Sequence, residues 1–306
     1  MRHFIDLAAW SSVEIRGLVT LAVDLKREWQ RGGNPPLLKN KVLAMVFQKP
    51  SLRTRVSFEV GMQHLGGAAI NLGPDEIGLG KRESIADIAR SLSAFTQGVM
   101  ARVFDHQHLL GLAESGSVPV INGLSDTQHP CQALADVLTI YERFGTFDGV
   151  NIAYVGDSNN VAFSLAQAVA HMGGSLSVAS PPRYGFGEEA IDAISDIMML
   201  NGSKLELYEN PASAVRDADV IYTDTWVSMG QEKESAPRLL AMQPYQVNAA
   251  LLQHAKTDAI VMHCLPAHRG QEITDDVADG RQSVLFHQAE NRLHAQKAVL
   301  ATLLQD

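Results

Sequence analysis

Val42-Leu43-Ala44-Met45-Val46-Phe47 leads through a polar turn, Gln48-Lys49-Pro50-Ser51-Leu52-Arg53-Thr54-Arg55, into residues 56–65 and then a second apolar run, Ala68–Leu72. The two apolar runs have strand length and no polar alternation, whereas residues 56–65 are amphipathic, so the stretch reads as a β-α-β unit with a buried parallel pair. The same alternation continues outward. Residues 84–95 follow as a helix, then 99–103 and 107–114, then 118–121 and 133–144. Upstream, Ser11 and Glu14 have capping-box spacing before a helical pattern that Gly32-Gly33-Asn34-Pro35-Pro36 stops. The stretch 145–149, two glycines enclosing Thr and Asp, interrupts the alternation, which restarts at 150–155. Further strands are expected at 176–179, 204–208, 220–223, 259–263 and 283–286, and a final helix over 288–304, which could pack back onto either half. The pattern predicts an α/β fold of two doubly wound parallel-sheet domains, residues 1–145 and 146–287, with a C-terminal piece at 288–306.

A length of 306 residues suits two domains. Composition, 46% hydrophobic and 19% charged with 24 Gly and 12 Pro, excludes disorder, collagen and coiled coil. A formal charge of −9 argues against nucleic-acid or anionic-membrane partners, so any anion site must be local. Two cysteines, Cys131 and Cys264, are too few for a secreted disulfide framework or a Cys-rich zinc module. Met1-Arg2-His3-Phe4-Ile5-Asp6 places charge too early for a signal peptide, and no run approaches 18 apolar residues. A cytoplasmic protein is expected.

In open parallel sheets ligands bind beyond the carboxyl ends of the strands, which directs attention to the segments that follow each one. Three of the seven residues from Lys49 to Arg55 are basic, in an acidic chain. Cations at a helix start oppose the macrodipole unless an anion sits there, when backbone N–H groups, the Ser51 and Thr54 hydroxyls and the Arg53 fork all become donors to it. A solvated basic loop accounts for the same residues locally, and the Gly-x4-Gly-Lys spacing of a Walker loop is missing. His129 and Gln132 offer donors at another strand-to-helix turn, although a packing histidine is the commoner reading. Gly156-Asp157-Ser158-Asn159-Asn160 lacks the G-x-G-x-x-G fingerprint, and either asparagine could cap a helix. Asp224, ahead of Ser228-Met229-Gly230, suits a cationic amine. His263, Cys264 and His268 match no closed zinc spacing, and adjacent strand residues point to opposite faces, which weakens a Cys-His nucleophile. Arg292 opens the last helix or stands on the surface.

Together and in this order, Phe47 to Arg55, Arg102, His129-Pro130-Cys131-Gln132, Asp224 with Ser228-Met229-Gly230, and His263-Cys264-Leu265-Pro266 resemble the signature blocks of the ornithine carbamoyltransferase family, over residues 40–295. The resemblance implies a carbamoyl-phosphate domain, an ornithine domain, a last helix returning to the first domain, and active sites at the interfaces of a homotrimer or a multiple of trimers. It implies carbamoyl transfer from carbamoyl phosphate to the side-chain amine of L-ornithine, with no metal or organic cofactor. Position by position, it assigns carbamoyl phosphate to Ser51, Leu52, Arg53, Thr54, Arg102, His129, Gln132, Cys264, Leu265 and Arg292. Ornithine falls to Asn160, Asp224, Ser228 and Met229, and catalysis to Arg102, His129, Asp224 and Cys264. Two positions depart from the pattern: Leu52 stands where Thr is usual, and Gly78 where many bacterial members carry Gln. The alternatives are a carbamoyltransferase for another amine (an acylated ornithine, putrescine or aspartate), a nucleotide-binding dehydrogenase, which the missing glycine fingerprint disfavours, and a catalytically silent anion-binding protein.

Overall fold

The computed structural model describes residues 1–227 and 235–305. The chain divides into two compact units, Met1–Leu138 with Glu290–Asp306, and Thr139–Ala289.

The first unit is built on β1 (Val42–Phe47), β2 (Ala68–Leu72), β3 (Gly98–Arg102) and β4 (Val120–Leu124), in the order β2-β1-β3-β4 with every pairing parallel. Its helices are α1 (Ser12–Gln30), α2 (Leu52–His64), α3 (Pro74–Ile77), α4 (Ile85–Phe95), α5 (His106–Ser115) and the start of α6 (Pro130–Phe144). β3 is buried throughout, as a central parallel strand must be, while the edge strand β2 is partly exposed. Strand order reverses between β1 and β3, so the crevice outside their carboxyl ends is the expected ligand position.

The second unit repeats the plan with β5 (Asn151–Val155), β6 (Ser175–Ala179), β7 (Leu205–Tyr208), β8 (Val220–Thr223) and β9 (Ile260–His263), ordered β7-β6-β5-β8-β9 and again all parallel. Around it lie α7 (Asn160–Met172), α8 (Glu188–Asn201), the single turn α9 (Pro211–Ala214), α10 (Ser235–Met242), two further single turns, α11 (Ala249–Leu252) and α12 (Asp275–Ala278), and the start of α13 (Leu285–Leu304). Here the order reverses between β5 and β8.

Capping chemistry sets the helix starts that matter. Ser11 and Glu14 form the expected capping box on α1. Ser51 caps α2, which begins four residues before the amphipathic pattern because the hydroxyl takes over an otherwise unpaired backbone N–H. One expectation is corrected. Residues 283–286 form no strand: Ser283 makes a single bridge to Val261, and Gln288 N–H already donates to Val284 C=O at 2.8 Å, so the backbone has turned into α13. The first compact unit ends at Leu138 within α6, and Gly145 follows the end of that helix. The last piece belongs to the first unit from Glu290. There α13 rests on Gly61 of α2, where an added Cβ would lie 3.5 Å from Leu300 and Lys297, and Lys26 Nζ donates to Asn291 Oδ1 at 2.7 Å.

Candidate active site

In the first unit polar and cationic side chains gather at the switch point of the sheet. Ser51 follows β1, and its Oγ donates to Thr54 Oγ1 at 3.0 Å while accepting the Thr54 N–H. Arg53 is half-buried in the first turn of α2, and Thr54 is fully buried. The Leu52 side chain is 73% exposed and turned outward, so this position contributes only its helix-start N–H. Arg102 ends β3 and is buried; His129 and Gln132, also buried, stand at the start of α6. Arg292 reaches in from α13, with Nη1 donating to Gln132 Oε1 at 2.7 Å and Nη2 to Thr54 Oγ1 at 3.2 Å.

The electrostatics explain why these groups sit together. Burial holds the His129 pKa well below the usual imidazole value, and Arg292, Arg102, Lys49 and Arg53 all push it the same way. His129 is therefore a neutral imidazole surrounded by four cations, able to donate one hydrogen without adding charge. Lys49 is 8% exposed, with Nζ 4.7 Å from the centre of the Phe104 ring. Its pKa is lowered to about 8 by burial and by Arg102, with Asp126 acting in the opposite sense. Four cations with this little solvent repel one another, and a multiply charged anion among them reverses the sign of that interaction.

In the second unit Asp224 follows β8 and Cys264 follows β9, both buried. Cys264 Sγ donates to Asp224 Oδ1 at 2.7 Å, and Asn159 Nδ2 donates to Asp224 Oδ2 at 2.8 Å. Asn159 also caps α7, accepting from the N–H groups of Val161 and Ala162, so one side chain both starts the helix and aims the carboxylate. Asn160 is consequently the first residue of α7. Behind Cys264, the fully buried Glu272 meets His263 Nε2 at 3.1 Å, and His263 Nδ1 accepts the Leu265 N–H at 2.9 Å, which assigns the ring proton to Nε2. Leu265 has φ 59° and precedes a cis bond to Pro266. Ser228 and Met229 lie outside the described residues.

Among the described residues, ligand atoms of Asp224, His263 and Cys264 lie within 4.8 Å of one another, the one such grouping that could hold a metal. Both His263 nitrogens are already engaged and the thiol serves Asp224, so a metal bound through one ring nitrogen and the sulfur would have to break two hydrogen bonds. His268, the third ligand of the zinc pattern weighed from the sequence, stays exposed. A polar pit of about 430 Å³ lined by Asn151, Ser175 and Arg216 lies at the opposite, amino end of β5 and β6.

The structure thus gathers Ser51, Arg53, Thr54, Arg102, His129, Gln132 and Arg292 in one cradle, and Asp224 with Cys264 and Leu265 in the other unit. Lys49 and Asn159 were absent from the sequence-based assignment. The first had a visible signal, being the third cation of the helix-start motif; the second had only its place after a strand.

Residues 2–142 match the family model described as aspartate/ornithine carbamoyltransferase, carbamoyl-P binding domain, and residues 148–303 match the Asp/Orn binding domain of the same family. The chain is 53% identical over 304 residues to the ornithine carbamoyltransferase of Pyrococcus abyssi, covering 99% of this chain and 96% of that relative. It is 54% identical to the ornithine carbamoyltransferase, anabolic, of Pyrococcus furiosus, with the same coverages. Its fold superposes on the solved ornithine carbamoyltransferase from Pyrococcus furiosus with a TM-score of 0.96 at 51% identity, covering 99% of this chain and 97% of that one. The structure from Thermus thermophilus follows at 0.88 and 41%, covering 98% of each chain. On these matches, the chain belongs to the aspartate/ornithine carbamoyltransferase family.

Proposed function

We propose that this chain transfers the carbamoyl group of carbamoyl phosphate to the side-chain amine of L-ornithine, giving L-citrulline and phosphate. The observation that carries the reading is the convergence of Lys49, Arg53, Arg102 and Arg292 on a buried neutral His129 at the start of a helix. The phosphate lies in the elbow, bound by first-turn N–H groups of α2, the Ser51 and Thr54 hydroxyls, and Arg53. Arg102, His129 and Thr54 face the carbamoyl oxygen, where negative charge develops as the tetrahedral centre forms. Each such donor contributes roughly 10²–10³ in rate.

An ornithine side-chain amine, with a pKa near the lysine value of about 10.4, is only about 0.1% unprotonated near pH 7.5. Asp224, held by Asn159 and Cys264, binds the ammonium form of the amino acid, with Asn160, Ser228 and Met229 completing its recognition, and the amine attacks once it has lost its proton. The ammonium proton is released to solvent; the carbamoyl carbon then gains a C–N bond, its bond to the phosphate oxygen breaks, and the departing phosphate takes the second proton from the attacking nitrogen as it leaves against the cationic elbow. Cys264 acts here as a hydrogen-bonding group, not as a covalent nucleophile, and with Leu265 completes the carbamoyl end of the site.

The synthetic direction, toward arginine biosynthesis, is supported by the relative named as anabolic. A cytoplasmic setting is supported by the two free thiols, Cys131 and Cys264, which suit a reducing compartment. A homotrimer follows from the family membership, and Leu52 and Val56, exposed one turn apart on α2, offer apolar side chains that a second copy could cover. Incubating the chain with carbamoyl phosphate and a panel of amines, with colorimetric detection of the ureido product, tests the reading. Product with ornithine is expected; product only with another amine overturns the substrate, and none with any amine overturns the activity.

A further inference from the structure

Asp136 is fully buried on α6 and has no part in the chemistry above. It lies one turn beyond Gln132, a spacing that puts both side chains on one face of the helix, and Gln132 Nε2 donates to Asp136 Oδ1 at 2.8 Å. Gln132 Oε1 in turn accepts from Arg292, which donates to Thr54, which accepts from Ser51. One run of hydrogen bonds therefore links a buried carboxylate to the hydroxyls of the anion cradle.

A carboxamide is nearly symmetric in shape, but its two ends are not interchangeable here. An ionised carboxylate only accepts and a guanidinium only donates. Half a turn of the Gln132 amide would set oxygen against carboxylate and N–H against guanidinium, losing two charge-assisted bonds at once. We propose that Asp136 is a positioning residue: it locks the Gln132 carboxamide in one orientation, which holds Arg292 on Thr54 and fixes the direction of the second Nε2 hydrogen for the carbamoyl group. The inference rests on the carbamoyl-transfer reading and names a residue that this reaction needs without touching its substrates.

Orientation and charge make separable predictions. As an anion beside a cationic cradle, Asp136 opposes phosphate binding, whereas its hold on Gln132 favours turnover. Asp136→Asn, assayed as the full chain with saturating ornithine and carbamoyl phosphate, is expected to lose 10- to 100-fold in kcat, while its Kd for inorganic phosphate by calorimetry stays equal to wild type or falls. Gln132→Leu cuts the link itself, so Asp136→Asn added to Gln132→Leu is expected to leave kcat unchanged from Gln132→Leu alone. Parallel loss of kcat and phosphate affinity, unaltered kcat in folded Asp136→Asn, or a full further loss in the double variant overturns the proposal. Should Asp136→Asn fail to fold, Asp136→Glu takes the same measurements: lowered kcat with wild-type phosphate affinity supports the role, and parallel loss refutes it. Wild-type protein that forms no citrulline overturns the functional reading instead, so the two failures are told apart.

Discussion

Lys49→Met tests the electrostatics of the cradle through stability as well as binding. The Lys49 pKa is about 8 in the folded chain, against about 10.4 for an unfolded lysine. The gap of roughly 2.4 pH units, at about 1.36 kcal/mol each, means that the empty folded cradle disfavours the ammonium by about 3 kcal/mol. Because the folded value lies below the unfolded one, this penalty is complete below pH 8, shrinks as the pH rises from 8 toward 10.4, and is gone above that. Methionine keeps the unbranched stem but carries no charge, forfeiting a contact to Phe104 worth about 0.5–1 kcal/mol. Lys49→Met is therefore expected to unfold with a free energy about 2 kcal/mol higher than wild type at pH 7, an advantage that disappears by pH 10.5. Its affinity for inorganic phosphate is expected to fall about tenfold or more at pH 7 and to approach the wild-type value above pH 9. Urea unfolding followed by circular dichroism at pH 7, 8, 9 and 10, with calorimetric phosphate titrations at the same values, measures both. A variant less stable than wild type at pH 7, or one with an unchanged pH slope of stability, would refute the argument.

Arg53→Ala removes a guanidinium from the helix start, and calorimetry is expected to find carbamoyl-phosphate binding weakened at least 100-fold; unchanged affinity would withdraw the phosphate assignment. Asp224→Asn should raise the ornithine KM or lower kcat by two orders of magnitude while leaving carbamoyl-phosphate affinity nearly intact, and equal loss of both would contradict the division of labour between the units. Asn159→Ala deletes the α7 cap, a cost of about 1 kcal/mol, and also frees Asp224. It should lower stability by that amount and raise the ornithine KM about tenfold, whereas a stability loss with unaltered KM would show that Asn159 serves the helix alone.

Much of the fold was legible because parallel strands buried on both faces must be continuous apolar runs. β1, β2 and β8 begin and end where the pattern put them, and most others shift by one or two residues. Residues 283–286 misled because a serine followed by three apolar residues satisfies a strand and a helix start equally well, and only the single bridge to Val261 and the closing turn at Val284 decide between them. The basic elbow, Arg102, His129 and Gln132 could be placed from the rule that ligands sit beyond strand ends, together with the resemblance of the blocks.

What the one-dimensional pattern determined was the type and order of the elements and the identity of the segments at their carboxyl ends, since periodicity and helix-start chemistry are local properties. Which of two adjacent asparagines caps α7 and aims Asp224, that Lys49 is pressed into a cationic cradle until its proton loosens, and that Asp136 closes a run of hydrogen bonds in which Gln132 and Arg292 stand 160 positions apart were decided only by tertiary structure. Those properties are set by burial and by partners distant in the chain, and neither desolvation nor a long-range hydrogen bond leaves a mark on the local sequence.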